Sequence, residues 1–156
     1  MSSVYLETSI VGYLASRPSR DLVTAANQQI TRDWWDQRRQ GYELYVSDFV
    51  LAECTAGDPS AVRERLVFLR DIPQLDVTDE VDLLADEFLR RLPLPEKAAL
   101  DASHIAVATV HGMDYLLTWN CAHIANAALR PRIERINESL GYETPIICTP
   151  QELMES

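Results

Sequence analysis

Residues 97–118 read Lys97-Ala98-Ala99-Leu100-Asp101-Ala102-Ser103-His104-Ile105-Ala106-Val107-Ala108-Thr109-Val110-His111-Gly112-Met113-Asp114-Tyr115-Leu116-Leu117-Thr118. The part from Lys97 to His111 is Ala-rich, apolar on most sides and free of Gly and Pro, which predicts a buried central helix. Gly112 is placed to stop it. Tyr115–Thr118 then has the length and apolarity of a buried strand.

The same alternation extends in both directions. Val4–Leu6 reads as a first strand, followed by a short helix over Ile10–Ala15. Asp21–Arg39 predicts a longer helix whose apolar positions are Leu22, Ala26, Ile30 and Trp34. Gly41 ends it, Tyr42–Val46 is a strand, and Ser47 is placed to cap a helix running through Ala56. Helices are also predicted over Ser60–Leu69 and from Thr78 or Asp79 to Arg91, with Leu75–Val77 as a strand between them. After Thr118 come two predicted helices, Cys121–Ala128 and Pro131–Leu140, and a last strand, Ile146–Cys148. Short apolar strands alternating with helices imply an α/β fold, with a mainly parallel sheet covered on both faces. No repeat, low-complexity segment or linker interrupts the 156 residues, so one domain over 1–156 is expected.

Composition narrows the function. No apolar run approaches the ~18 residues of a membrane span, and the N-terminus lacks a secretory pattern, so a cytoplasmic protein without a membrane partner is expected. Three Cys without a CxxC pair suggest neither a disulfide framework nor a zinc knuckle. The net charge of −10 argues against a module that binds nucleic acid by phosphate neutralisation alone. It suits an enzyme that meets a polyanion through metal cations, or a protein with a basic partner; solubility explains it equally well.

Ligands of parallel α/β sheets bind beyond the carboxyl ends of the strands. Glu7 directly follows the first strand, and Asn120 lies just past the Tyr115–Thr118 strand. Glu53 lies in the helix after the second strand, and Asp101 stands alone in an apolar helix. Each acid taken singly is more often a surface charge or a cap. Converged, Glu7, Glu53 and Asp101 would repel one another unless a cation intervened. Mg²⁺ or Mn²⁺ prefers such oxygen ligands and can activate water for phosphodiester hydrolysis.

Tyr5-Leu6-Glu7-Thr8-Ser9, Val50-Leu51-Ala52-Glu53, Asp101-Ala102-Ser103-His104-Ile105-Ala106-Val107-Ala108 and Leu116-Leu117-Thr118-Trp119-Asn120 resemble, in order and spacing, the four motifs of PIN domains. The resemblance implies a three-layer α/β/α sandwich and divalent-metal-dependent cleavage of RNA. In the VapC-like branch it implies a toxin held by a cognate antitoxin, and a homodimer. Glu7, Glu53 and Asp101 would hold Mg²⁺ or Mn²⁺, supported by Thr8 and Asn120. Two positions depart from the family pattern: Glu7 and Asn120 stand where Asp is usual. They favour one metal over two, and leave open a PIN fold that binds RNA or protein without cleaving it. A phosphohydrolase of small esters lacks support, since the chain has no Gly-rich phosphate loop or DxD motif.

Other residues carry two readings each. Ser9 is read as a turn or cap residue. Lys97, the only Lys, shares a helix face with Asp101 and can pair with it or with a phosphate. His104 and His123 are read as satisfied core or boundary residues rather than ligands. Of the adjacent Trp34 and Trp35, one is expected in the core and the other at a surface. Arg38-Arg39, Arg90-Arg91 and Arg130/Arg132/Arg135 are solvated faces or phosphate contacts.

Overall fold

The computed structural model describes residues 1–154. Five parallel strands run β1 (Ser2–Leu6), β2 (Tyr42–Ser47), β3 (Gln74–Leu75), β4 (Tyr115–Leu117) and β5 (Ile146–Cys148), in the spatial order β3-β2-β1-β4-β5. The helices are α1 (Thr8–Ala15), α2 (Leu22–Gln37), α3 (Asp48–Cys54), α4 (Pro59–Leu69), α5 (Asp79–Arg91), α6 (Ala99–Val110) and α7 (Arg130–Ser139). α1 packs with α2 and α4, while α5 packs with α6 and α7, giving the expected α/β/α layering. The core is the strand interior with one face of each layer: Val4, Tyr5, Leu6, Trp34, Phe88, Ile105, Leu116 and Leu117 are fully buried. Burying such side chains contributes ~1.5–3 kcal/mol each.

Strand order reverses beside β1, which pairs with β2 on one side and β4 on the other. Leu6 aligns with Leu117, and the Glu7 amide donates to the Leu117 carbonyl. The chains leaving β1 and β4 therefore diverge from one point, where an open parallel sheet leaves a crevice.

Several local expectations are corrected. α2 buries Gln28, Thr31 and Trp34, whereas Leu22 is 85% exposed and Ala26 lies at the surface. Gln28 is held inside by bonds to Ser16, Arg17 and Ser19, so polar satisfaction sets the rotation of this helix. Cys121–Ala128 forms successive turns rather than a helix. The Asn126 side chain accepts the Ala128 and Leu129 amides and donates to the Cys121 carbonyl, offering that backbone partners a helix would supply. Ser47 occupies the N-cap position of α3, but its hydroxyl bonds Tyr5 instead of capping. The Ala-rich helix begins at Ala99, after a 3₁₀ turn over Glu96–Ala98 that holds Lys97. Gly112 ends it at φ 68°, a conformation costly for other residues.

Candidate active site

β1 delivers Glu7 to the crevice with only 5% of its surface exposed. A buried carboxylate needs partners. Two hydroxyls donate to its Oε1: Ser9 at 2.5 Å, from the first turn of α1, and Thr118, just beyond β4. Its Oε2 has no hydrogen bond among the described residues.

Glu53, in the last turn of α3, faces it. The Thr8 hydroxyl donates to Glu53 Oε1 at 2.6 Å, and His104 Nε2 lies 2.7 Å from the same oxygen. Burial alone would raise the Glu53 pKa; the hydrogen bonds from His104 and Thr8 outweigh it and hold the carboxyl below its ordinary value. An ionised Glu53 only accepts, so His104 donates to it from Nε2. On its other side, His104 Nδ1 shares a hydrogen bond with the Tyr5 hydroxyl at 2.6 Å, and the Tyr5 hydroxyl bonds that of Ser47 at 2.7 Å. Burial pushes the Tyr5 phenol well above its usual range, keeping it a donor. One chain of hydrogen bonds thus runs from the core to the Glu53 carboxylate.

Ligand atoms of Glu7, Glu53 and His104 lie within 4.8 Å of one another. Asp101 does not join that group. From the first turn of α6, its Oδ1 accepts from Asn120 Nδ2 and its Oδ2 pairs with His123 Nδ1, both at 2.9 Å. The two clusters meet through Thr118, whose hydroxyl donates to Glu7 and accepts the Asn120 amide at 2.9 Å. Lys97 makes no ion pair with Asp101, and among the described residues no Lys or Arg nitrogen lies within 4.0 Å of any of the three carboxylates.

Sequence reasoning therefore placed Glu7, Thr8, Glu53, Asp101 and Asn120 around one end of the sheet, but not the division into two clusters. It passed over Thr118 and read Ser9 as a turn residue, although the Ser9 hydroxyl also receives the Trp119 amide at 2.8 Å. The available signal was position: hydroxyls directly after two neighbouring strands. His104 is buried and satisfied as expected, yet its partner is an acid of the site.

An open cleft of about 790 Å³ leads from Glu7 and Glu53 along α1. Tyr13, Arg17 and Arg65 stand on its walls.

Residues 4–120 match the PIN domain family model, a span that begins in β1 and closes on Asn120. The chain belongs to the PIN domain family. No curated protein matches it. Among solved structures, this PIN domain superposes on VapBC2 from Rickettsia felis bound to a DNA fragment from its promoter (TM-score 0.59, 14% identity, 94% of this chain and 98% of that one). It also superposes on VapC20 from Mycobacterium tuberculosis, described as a toxin cleaving the sarcin–ricin loop (0.55, 22%, 72% and 86%). VapBC-5 of the same organism, from the VapBC family of toxin–antitoxin systems, is a third (0.50, 17%, 83% and 92%). At these identities the likeness is one of fold.

Proposed function

We propose that this PIN domain is a metal-dependent endoribonuclease and the toxin of a toxin–antitoxin pair. The observation that carries the reading is the pair Glu7 and Glu53: two carboxylates brought together at the sheet's switch point, each, among the described residues, with Oε2 unengaged and no Lys or Arg nitrogen within 4.0 Å. At such a separation two like charges repel by roughly 1–4 kcal/mol, and a cation relieves that repulsion. Hard oxygen donors suit Mg²⁺ or Mn²⁺. Glu7, Glu53 and Asp101 are the residues that would hold the ion.

A divalent cation supplies charge neutralisation at a phosphodiester and makes water more acidic. The chain's own residues do the rest. Ser9 and Thr118 fix Glu7 through one oxygen and leave the other free. Thr8 and His104 do the same for Glu53. Asn120 and His123 orient Asp101, and Asn120 adds a donor without adding charge.

RNA as substrate is supported by the family and by the cleavage ascribed to VapC20. An antitoxin partner is supported by the VapBC assemblies that share the fold. A homodimer and a cytoplasmic location belong to the same reading; no described helix is long and apolar enough to cross a membrane. The test is cleavage of mixed cellular RNA with and without Mn²⁺, comparing the native protein with Asp101→Ala. Mn²⁺-dependent fragments lost in the variant support the assignment. Equal cleavage by the folded variant removes Asp101 from the site, and no cleavage by either, free of antitoxin, favours a PIN fold that binds without cutting.

A further inference from the structure

Glu7 is the most deeply buried acid of the site, and among the described residues its Oε2 has no hydrogen bond. An unpartnered carboxylate oxygen at that depth points to a cation. The atoms gathered around it are not all oxygens. Ligand atoms of Glu7, Glu53 and His104 lie within 4.8 Å of one another, little more than twice the ~2.1 Å bond of a small dication. Asp101 is outside that group, with its oxygens taken by Asn120 and His123. The third member is therefore a nitrogen, His104 Nε2.

His104 is held as a metal-binding imidazole is held. It is buried, and its ring packs against Tyr5 and Phe49 with centroids 5.8 and 6.0 Å away. Histidines that bind metals almost always donate their other ring N–H to a fixed acceptor, which sets the tautomer and the aim of the ring. The Tyr5 hydroxyl, 2.6 Å from Nδ1, is placed to be that acceptor. A hydroxyl donates or accepts, so Tyr5 can turn its own proton to Ser47. The ring proton thus has two places to sit. It faces Glu53 from Nε2 without a cation, and faces Tyr5 from Nδ1 once a cation stands at Nε2; the imidazole keeps one proton throughout. The 2.7 Å between Nε2 and Glu53 Oε1 is close to the roughly 3 Å between adjacent ligands of an octahedral ion, so the exchange needs little movement.

We infer that His104 Nε2 joins Glu7 and Glu53 as a ligand, so that the site takes a first-row transition-metal dication in preference to Mg²⁺. The inference rests on the metal-dependent reading and narrows its ion. Imidazole nitrogen suits transition metals, with affinity rising from Mn²⁺ to Co²⁺ and beyond. Mg²⁺ prefers oxygen and gives up its waters reluctantly, so a buried nitrogen adds little for it.

The test reads the bound ion rather than turnover. Electron spin-echo modulation of Mn²⁺ on the native protein should carry the signature of a directly bound imidazole nitrogen, altered when the histidines carry the heavy nitrogen isotope. The signature should persist in His123→Gln and disappear in His104→Gln. By calorimetry, the ratio of Co²⁺ to Mg²⁺ affinity should fall about tenfold in His104→Gln. A melt of that variant without metal checks its fold; if it does not fold, the labelled native protein and His123→Gln decide the matter alone. Bound Mn²⁺ without nitrogen modulation, modulation lost in His123→Gln, or an unchanged affinity ratio in folded His104→Gln overturns the inference and leaves the nuclease reading standing. Failure of the native protein to bind either Mn²⁺ or Co²⁺ overturns both.

Discussion

The two acidic clusters at the end of the sheet are built in opposite ways. Glu7 and Glu53 are tied to the core: Glu7 by hydroxyls following β1 and β4, and Glu53 by the buried series His104, Tyr5 and Ser47. Asp101 has no such tie to the core: its side chain is 21% exposed against 34% for Glu53, and its partner His123 is 27% exposed where His104 is 1%. Its partners come from the turns after β4, held by bonds such as that from the His123 amide to Asn120 Oδ1. The first cluster presents carboxylate oxygens without partners; the second has both oxygens occupied. A pair anchored on the core fixes where charge must sit, while a group held by turns can adjust to what arrives.

The largest expected effect separates the clusters by cation affinity. Glu7→Gln keeps the shape and removes one charge from the tight pair. Cleavage should fall at least about a hundredfold, and the rise in melting temperature on adding Mn²⁺ should vanish, while melting without metal shifts upward as repulsion is relieved. His123→Ala should preserve most of the Mn²⁺ shift. Loss of the shift in both variants would mean that the cation depends on the His123 support of Asp101 as much as on Glu7, and that the two clusters do not differ in this respect.

Stability sharpens the comparison next. His104→Ala leaves the buried Tyr5 hydroxyl with Ser47 alone as partner and opens a cavity, so urea denaturation should show a loss of about 2–4 kcal/mol. His123→Ala, half-exposed, should cost under about 1 kcal/mol. Similar losses would contradict the division into a core-anchored and an adaptable half. Asn120→Asp probes the join between them. It replaces the donor to Asp101 with a second carboxylate, and should cost about 1 kcal/mol without metal. Mn²⁺ should restore that loss; a loss persisting in saturating Mn²⁺ would place Asn120 outside the cation's reach.

The contrast also explains what the sequence disclosed. Apolar runs at Val4–Leu6, Tyr115–Leu117 and Ile146–Cys148 mark strands because a doubly covered sheet leaves little choice of residue. Polar residues just after them mark the crevice, which is why Glu7 and Asn120 stood out. Glu53 and Asp101 were visible as acids in apolar helices. The pairing of Tyr5 with His104, 99 positions apart, has no local trace. Nor has the burial of Gln28, which depends on a turn twelve residues away, nor the Asn126 bonds that replace the helix expected over Cys121–Ala128. For Gln28 and Asn126 side-chain hydrogen bonding overrode periodicity, and the partners that decided it are not encoded in the local pattern.

The smallest effect tests whether the Glu53 bonds stabilise the fold as well as the site. Hydrogen bonds from His104 and Thr8 outweigh burial and depress its folded-state pKa below the ordinary 4.5. A depressed acid contributes stability that is fully present above its unfolded value and is lost as pH falls through the folded one. Urea midpoints of the native protein and Glu53→Gln should therefore differ near neutral pH and converge as pH falls below about 4.5. Solvent reaches part of this carboxylate, with 34% side-chain exposure, so the difference should be small. If the midpoints stay parallel to the acid end, the bonds position Glu53 without stabilising its charge, and the cluster owes its order to the core alone.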